Sequence, residues 1–466
     1  MQTPDLKRTA LFIAILAGFL TPFDLSAVVV ALPSMGAEFS MDAVALSWIS
    51  TAYLLAAGVF LVPFGRIADI HGRKKVFTGG LSLFLVSSLL MVFSVSPLMV
   101  ILLRILQGSG AAMIFGTSVA ILTEVTPLAE RGKALGIYTT AVYCGLSLGP
   151  FIGGFLTTHF GWRSIFLVNL PIGIVAVSLI ALYLKGEWAD SRGEAFDLGG
   201  AIQYALTLIC VMYGFSLLPD REGFILLVAG SVMLGVFILR ELRVKFPLLN
   251  MNLFRSNRVF TFSSLAALIN YAATFSITFF LSLYLQYIRG FPASYTGTIL
   301  VIQPVMQAIF SSWAGRLSDR VEPAKIASAG MAILAAGLLL LTLIEPDTPI
   351  VLLAAVLALL GFGFALFSSP NVNAIMSSVE KKYLGIASGT LGTMRLVGQM
   401  LSMGIATMII ALFVGRVQIT PDQYGSLLMG TKIGFGIFAL MSIIGIFFSL
   451  NRGDLRKERD NPTVQE

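Results

Sequence analysis

Long apolar runs, each closed by a few polar, glycine or proline positions, recur along the whole chain. They fall near 9–32, 44–65, 76–95, 97–122, 134–158, 163–184, 197–217, 222–239, 259–288, 294–315, 325–343, 349–371, 385–415 and 428–450. A helix of about 20 apolar residues crosses a hydrocarbon layer of about 30 Å, so the pattern predicts fourteen membrane-spanning helices. The connections at 95–97 and 217–222 are short enough to make hairpins of the spans they join. The first run, from about Thr9 to Leu32, is too long for a signal-peptide core and has no small-residue cleavage site, and is read as the first span.

Composition excludes much else. Of 466 residues, 57% are apolar and only 12% charged, with a mean hydropathy of +0.89. A soluble domain carries about 25% charge, and a membrane β-barrel shows weak alternation in place of long runs. The net charge of +7 suggests a polyanion partner until topology is considered. With both termini cytoplasmic, 24 of the 31 basic residues fall in cytoplasmic segments. Arg163, Arg221, Arg289, Arg416 and Lys432 fall outside, and Arg104 and Arg395 lie within spans. That bias satisfies the positive-inside rule, so no nucleic acid is needed as a partner. The reading is an all-α, multi-pass protein of the cell membrane.

The chemistry of soluble enzymes is missing from the sequence. Cys144 and Cys210 fall in apolar runs, as small core hydrophobes do. There is no Gly-x4-Gly-Lys-Ser/Thr loop for a nucleotide, and His71 and His159 have no metal-ligand spacing. The expectation is no enzyme, no metal and no cofactor.

The chain also repeats itself. Gly65-Arg-Ile-Ala-Asp69 after the second span is echoed by Gly315-Arg-Leu-Ser-Asp319-Arg320 after the tenth, 250 residues later. The echo falls at equivalent places if spans seven and eight are inserted between two six-helix halves. This divides the chain into residues 1–190, a two-helix insertion and linker over 191–257, and a second half with a short tail over 258–466. Repeated halves are the signature of many secondary transporters.

Several segments resemble the major facilitator superfamily, and within it the fourteen-span drug:proton antiporters. Gly65-x-Ile67-Ala68-Asp69-x-x-Gly72-Arg73-Lys74 resembles the motif between spans two and three. Asp24 with Leu25 to Pro33 resembles the span-one motif, with Ser26 in place of Thr and Val29 in place of Asn. Arg104-x-x-Gln107-Gly108-x-Gly110 resembles the span-four motif, and Gly145-x-x-x-Gly149-Pro150-x-x-Gly153-Gly154 the span-five antiporter motif. The resemblance covers most of the chain and implies two six-helix halves plus two extra central helices.

Read as physics, these residues fall into four groups. Asp24 lies eight residues from Leu32, roughly 12 Å below the outer boundary, and Arg104 at nearly the same depth in span four. An intramembrane acid is costly and can exchange a proton or bind a cation as a cavity opens; an acid that merely pairs with a neighbouring helix is the alternative. The resemblance makes spans one and four neighbours, so Asp24, Arg104 and Gln107 are the expected proton-coupling set; Arg104 capping carbonyls is the simpler reading. The loop Arg66 to Lys75 predicts a cytoplasmic latch of Gly65, Asp69, Gly72, Arg73 and Lys74, with Glu124 brought near Arg73 in the implied fold. Its second-half counterpart at Asp319 and Arg320 lacks the Gly-Arg-Lys tail and should be weaker. Topology alone also explains these basic residues. Gly145, Gly149 and Gly153 share one face of span five, where Pro150 bends the helix and Gly154 adds a small position, so a close-packed hinge is expected, or packing alone.

Polar groups gather at mid-depth in the second half as Asn270, Gln303, Gln307, Arg395 and Gln399, accompanied by Phe275, Phe279 and, across in span four, Phe115. With Ser26 these are the expected substrate contacts. An apolar and aromatic cavity with few polar anchors suits an amphipathic organic molecule. No acid occupies the middle of spans nine to fourteen, which argues against divalent cations. The expected function is a monomeric, proton-driven exporter of amphipathic compounds. A transporter of lipid-like molecules and a non-transporting receptor or scaffold remain as alternatives.

Overall fold

A computed structural model describes residues 4–453 apart from 128–129, 185, 245–246, 249–250 and 381–383. Lys185, Lys245, Lys381, Lys382, Arg456, Lys457 and Arg459, which enter the charge count, lie outside the described residues. Among the described residues, fourteen helices are long and apolar enough to cross a membrane. They are α1 (Pro4–Glu38), α2 (Ala43–His71), α3 (Arg73–Val92), α4 (Pro97–Val125), α5 (Arg131–Phe160), α6 (Arg163–Tyr183), α7 (Leu198–Leu217) and α8 (Arg221–Glu241). Then come α9 (Arg258–Ile288), α10 (Ala293–Ser318), α11 (Pro323–Leu341), α12 (Ile350–Ser377), α13 (Leu384–Phe413) and α14 (Tyr424–Leu450).

Side-chain caps start several of these helices. Asp42 accepts from the amide of Ala45 at 2.8 Å, Asp197 from that of Gly200 at 2.9 Å and Asn257 from that of Phe260 at 2.8 Å. Ser96 caps α4 with Pro97 in the first turn, which keeps α3 and α4 separate across their short connection. Helices nevertheless overshoot the apolar runs. α1 continues to Glu38 and α2 to His71, because polar residues remain helical beyond the hydrocarbon boundary. The expected loop Arg66 to Lys75 is therefore a correction: Gly72 alone separates α2 from α3. At φ +124°, it adopts a backbone that L side chains rarely enter.

Two helices are interrupted. α9 breaks at Phe275 and Ser276, where the Ser276 amide donates to the Ser402 hydroxyl at 3.0 Å. α10 breaks at Val301. Pro304, three residues on, has no N–H for the carbonyl of Leu300 and crowds it.

By contact the chain forms two compact units, and two of the boundaries between them fall at or beside these breaks. The first comprises Met1–Leu249, Thr278–Val301 and Met403–Leu427; the second comprises Asn250–Ile277, Ile302–Ser402 and Leu428–Glu466. In the first, α1 packs on α5 and α6, α4 packs on α2 and α3, and α7 packs on α8 and α2. The inserted pair is tied in: the Tyr204 hydroxyl donates to the carbonyl of Gly58 at 3.2 Å, Trp48 meets Tyr213 edge-on, and Gly404 lies close against Met212 and Phe215. In the second unit, α12 packs on α9, α10 and α11.

Candidate transport site

Asp24 and Arg104 form a fully buried ion pair, Oδ2 to Nη1 at 2.5 Å. Asp24 lies fourteen residues from the end of α1, roughly 21 Å of helix. Arg104 Nη1 also donates to Gln107 Oε1 at 2.9 Å, its Nε donates to the carbonyl of Ile49 at 3.2 Å, and its guanidinium lies 4.3 Å from the centre of the Tyr53 ring. Gln107 Nε2 donates to the Ser88 hydroxyl at 2.8 Å. The other carboxylate oxygen, Asp24 Oδ1, accepts from Asn169 Nδ2 at 2.8 Å. Five helices, α1, α2, α3, α4 and α6, thus converge on one carboxylate and one guanidinium. The three residues expected to act together meet here. Asn169, Ser88 and Tyr53 were missed, although an amide inside the apolar run of span six is the kind of exception that marked Asp24.

The α2–α3 turn carries a second charged cluster. Arg73 donates to Asp69 at 2.8 Å and pairs with Asp190 at 2.7 Å, while Glu124 stands at 4.0 Å. The segment after α6 folds under the turn: the amide of Arg73 donates to the carbonyl of Trp188, that of Ser191 to Asp69, and Glu187 accepts from the amide of Lys74. The Lys74 ammonium donates to the carbonyl of Leu184, and Arg66 pairs with Glu194. Arg73 is therefore held first by Asp69 and Asp190. Gly65 has open space where a side chain would stand, so close packing does not require it to be glycine. Asp319 and Arg320 lie on the exposed turn after α10.

The glycine face of α5 lies on α1. Gly145 abuts Phe19 and Phe23, Gly149 abuts Ser26, and Gly153 abuts Ala27, each with no room for a β-carbon. This corrects the assignment of Ser26 to substrate: its hydroxyl donates within the seam to the carbonyls of Pro22 at 2.9 Å and Gly145 at 3.3 Å. Toward the α1–α2 end, Gly154 packs on the backbone of Ala293, and Gly297 on that of Pro150. On the same side, Ser282 donates to the carbonyl of Val29 at 3.1 Å, and Gln286 donates to that of Val30 at 3.0 Å. All of these residues belong to the first unit, so the seam between α1 and α5 and the hairpin joining α9 to α10 is closed.

The other expected substrate contacts divide between the units. Phe279 lies in the first, buried edge-on against Phe280; Phe115 is half-buried. In the second, Asn270 is fully buried with neither amide atom hydrogen-bonded, and Gln307 Nε2 is buried without a partner. Gln399 is buried, while Phe275, Gln303 and Arg395 are half-buried. The carbonyl of Gln303 lies against Gly361.

Arg452, which the sequence offered only as a topological charge, is enclosed in the second unit. It donates to Asn371 Oδ1 at 2.9 Å, to the carbonyl of Pro323 at 2.7 Å and to the Ser263 hydroxyl at 3.2 Å. Burial holds its pKa down to about 10, so it stays charged at neutral pH. Among the described residues no group of three His, Cys, Asp or Glu side chains is placed to hold a metal.

Fourteen apolar helices among the described residues and an ion pair enclosed among the spans point to a multi-pass membrane transporter. The chain belongs to the Major Facilitator Superfamily, whose model matches residues 14–403 and 263–465. It is 31% identical over 392 residues to the riboflavin transporter RibZ of Clostridioides difficile, covering 84% of this chain and 85% of that one. It is 32% identical over 449 residues to the cephamycin export protein CmcT of Amycolatopsis lactamdurans, covering 93% and 90%. Among solved structures, an inward-facing, occupied bacterial homologue of the human lysosomal transporter Spinster superposes with a TM-score of 0.68 at 16% identity, covering 97% of each chain. That likeness is one of fold.

Proposed function

We propose that the protein is a monomeric antiporter of the cell membrane, with both termini cytoplasmic, that exports amphipathic organic compounds in exchange for protons. The observation that carries this reading is the Asp24–Arg104 pair, enclosed where neither charge meets water. With Asp24 ionised the pair is neutral. A proton on Asp24 leaves the Arg104 charge uncompensated in a medium of low dielectric, so proton binding and the preferred arrangement of the helices become linked. Protonation from outside favours return to the inward-open state, and release to the cytoplasm lets substrate load. The export of a cephamycin by a relative supports the direction, and the apolar and aromatic lining expected in the second half supports the substrate class.

The test is transport in everted vesicles with a cephamycin, riboflavin and ethidium as probes. Asp24→Asn should abolish substrate-driven proton movement, and full movement in that variant sinks the mechanism. Transfer of a fluorescent lipid between leaflets of liposomes, indifferent to a proton gradient, would instead favour the movement of lipids.

A further inference from the structure

Every polar neighbour of the Asp24 carboxylate offers it a proton donor. Arg104 Nη1 serves Oδ2, and Asn169 Nδ2 serves Oδ1. That suits the carboxylate and fails the carboxylic acid, whose new O–H needs an acceptor. The charged and titratable groups around Asp24 are Arg104 from α4 and Tyr53 from α2. α5 faces α1 with its glycines, and with Tyr138 at Gly18, while α6 brings the neutral Asn169. Asn169 is completely buried, and its Oδ1 has no hydrogen-bond partner. An acceptor without a donor thus lies one amide width from an acid that will require one.

We propose that Asn169 is the positioning residue of the proton site, its carboxamide turning over as Asp24 is protonated, so that Nδ2 serves the carboxylate and Oδ1 the acid. Nδ2 also donates to the Ser88 hydroxyl at 3.4 Å, a long bond that the turn gives up; either orientation directs one amide atom to Asp24, so the proton chooses between the two. The step balances simply. The carboxylate gains one proton from the open aqueous side and later yields it to the other; no bond of Asn169 breaks, and Arg104 keeps its charge. A site built for one protonation state would trap the proton or refuse it, whereas a reversible amide accommodates both. The inference rests on the proton-coupling reading and assigns the residue that makes it reversible.

Acid-minus-base infrared difference spectra of the full-length protein in lipid nanodiscs test this with no substrate present. The carboxyl band that Asp24→Asn removes belongs to the acid of Asp24. In Asn169→Ala that band should move to higher wavenumber, as an O–H that has lost its acceptor, and Asn169→Ser should restore part of the shift. An unmoved band in Asn169→Ala overturns the proposal. Should Asn169→Ala fail to fold, protein carrying carbon-13 in the asparagine side-chain carbonyl gives the second measurement. An asparagine amide band must change on acidification in the unmutated chain and stay silent in Asp24→Asn; silence in both overturns the proposal. Absence of any Asp24 band across the titration removes the proton-coupling reading as well, which separates the two failures.

Discussion

Ser282 donates its hydroxyl to the carbonyl of Val29, the acceptor that Pro33, four residues on, cannot reach for want of an N–H. Gln286 adds a donor to Val30 one residue further and another to Ser282 itself. A proline in α1 thereby creates the feature that α9 grips. Removing both donors, in Ser282→Ala with Gln286→Leu, strands a buried carbonyl at a cost of about 1–3 kcal/mol to the closed seam. Alkylation of a cysteine introduced at the buried Val30, with Cys144 and Cys210 replaced by serine, should accelerate by about 5- to 150-fold, the kinetic equivalent of that cost. An unchanged rate would mean that the clasp does not hold the seam.

Arg104→Met leaves Asp24 buried without its partner and should cost about 3–5 kcal/mol, unless the acid takes up a proton. Adding Asp24→Asn should recover much of the loss, because the uncompensated charge is gone. Thermal unfolding in detergent across the double-mutant cycle gives the coupling directly. Additive losses would place the two residues outside one interacting pair.

The motif glycines should separate sharply. Gly149→Val drives a side chain into Ser26 and must push α1 from α5, so a large fall in Tm is expected. Gly65→Ala enters open space within a helix and should leave Tm unchanged or raise it, worth up to about 1 kcal/mol. Equal losses at the two positions would contradict the seam.

At the α2–α3 turn, Asp69→Asn and Asp190→Asn should each weaken the hold on Arg73, by about 0.2–1 kcal/mol for partly exposed pairs. Glu124→Gln, at 4.0 Å, should be close to silent. Unfolding midpoints and transport rates of the three variants can be ranked side by side, and a dominant effect of Glu124 would reverse the assignment.

Arg452→Lys should destabilise the second unit nearly as much as Arg452→Met. A single ammonium cannot reproduce the fork that serves Asn371, Ser263 and the carbonyl of Pro323 at once. Hydrogen bonds from a charged donor contribute about 1.5–3 kcal/mol each, so the fall in Tm should be plain. Full rescue by lysine would argue that charge alone suffices.

The spans and the charges within them were legible because an acid or arginine stands out in some twenty apolar residues, and Asp24 and Arg104 do so at matching depth. Asn169, although an amide within an apolar run, was passed over because its partner lies 145 positions away and nothing in span six announces it. Asp190 sits in a stretch that reads as linker until the chain returns beneath Arg73. Ser26 was misjudged for a different reason. A helix that is buried on most sides carries no polar face to indicate which residues meet a neighbour and which meet a ligand.

The bond from Tyr204 to the carbonyl of Gly58 makes the α7–α8 hairpin a support of α2. Deleting residues 198–241 would cost the Gly58 carbonyl of α2 a donor and strip the Trp48 face of Tyr213. The α7–α8 hairpin is thereby part of what holds α2, and a chain without it would require compensating changes on α2 first.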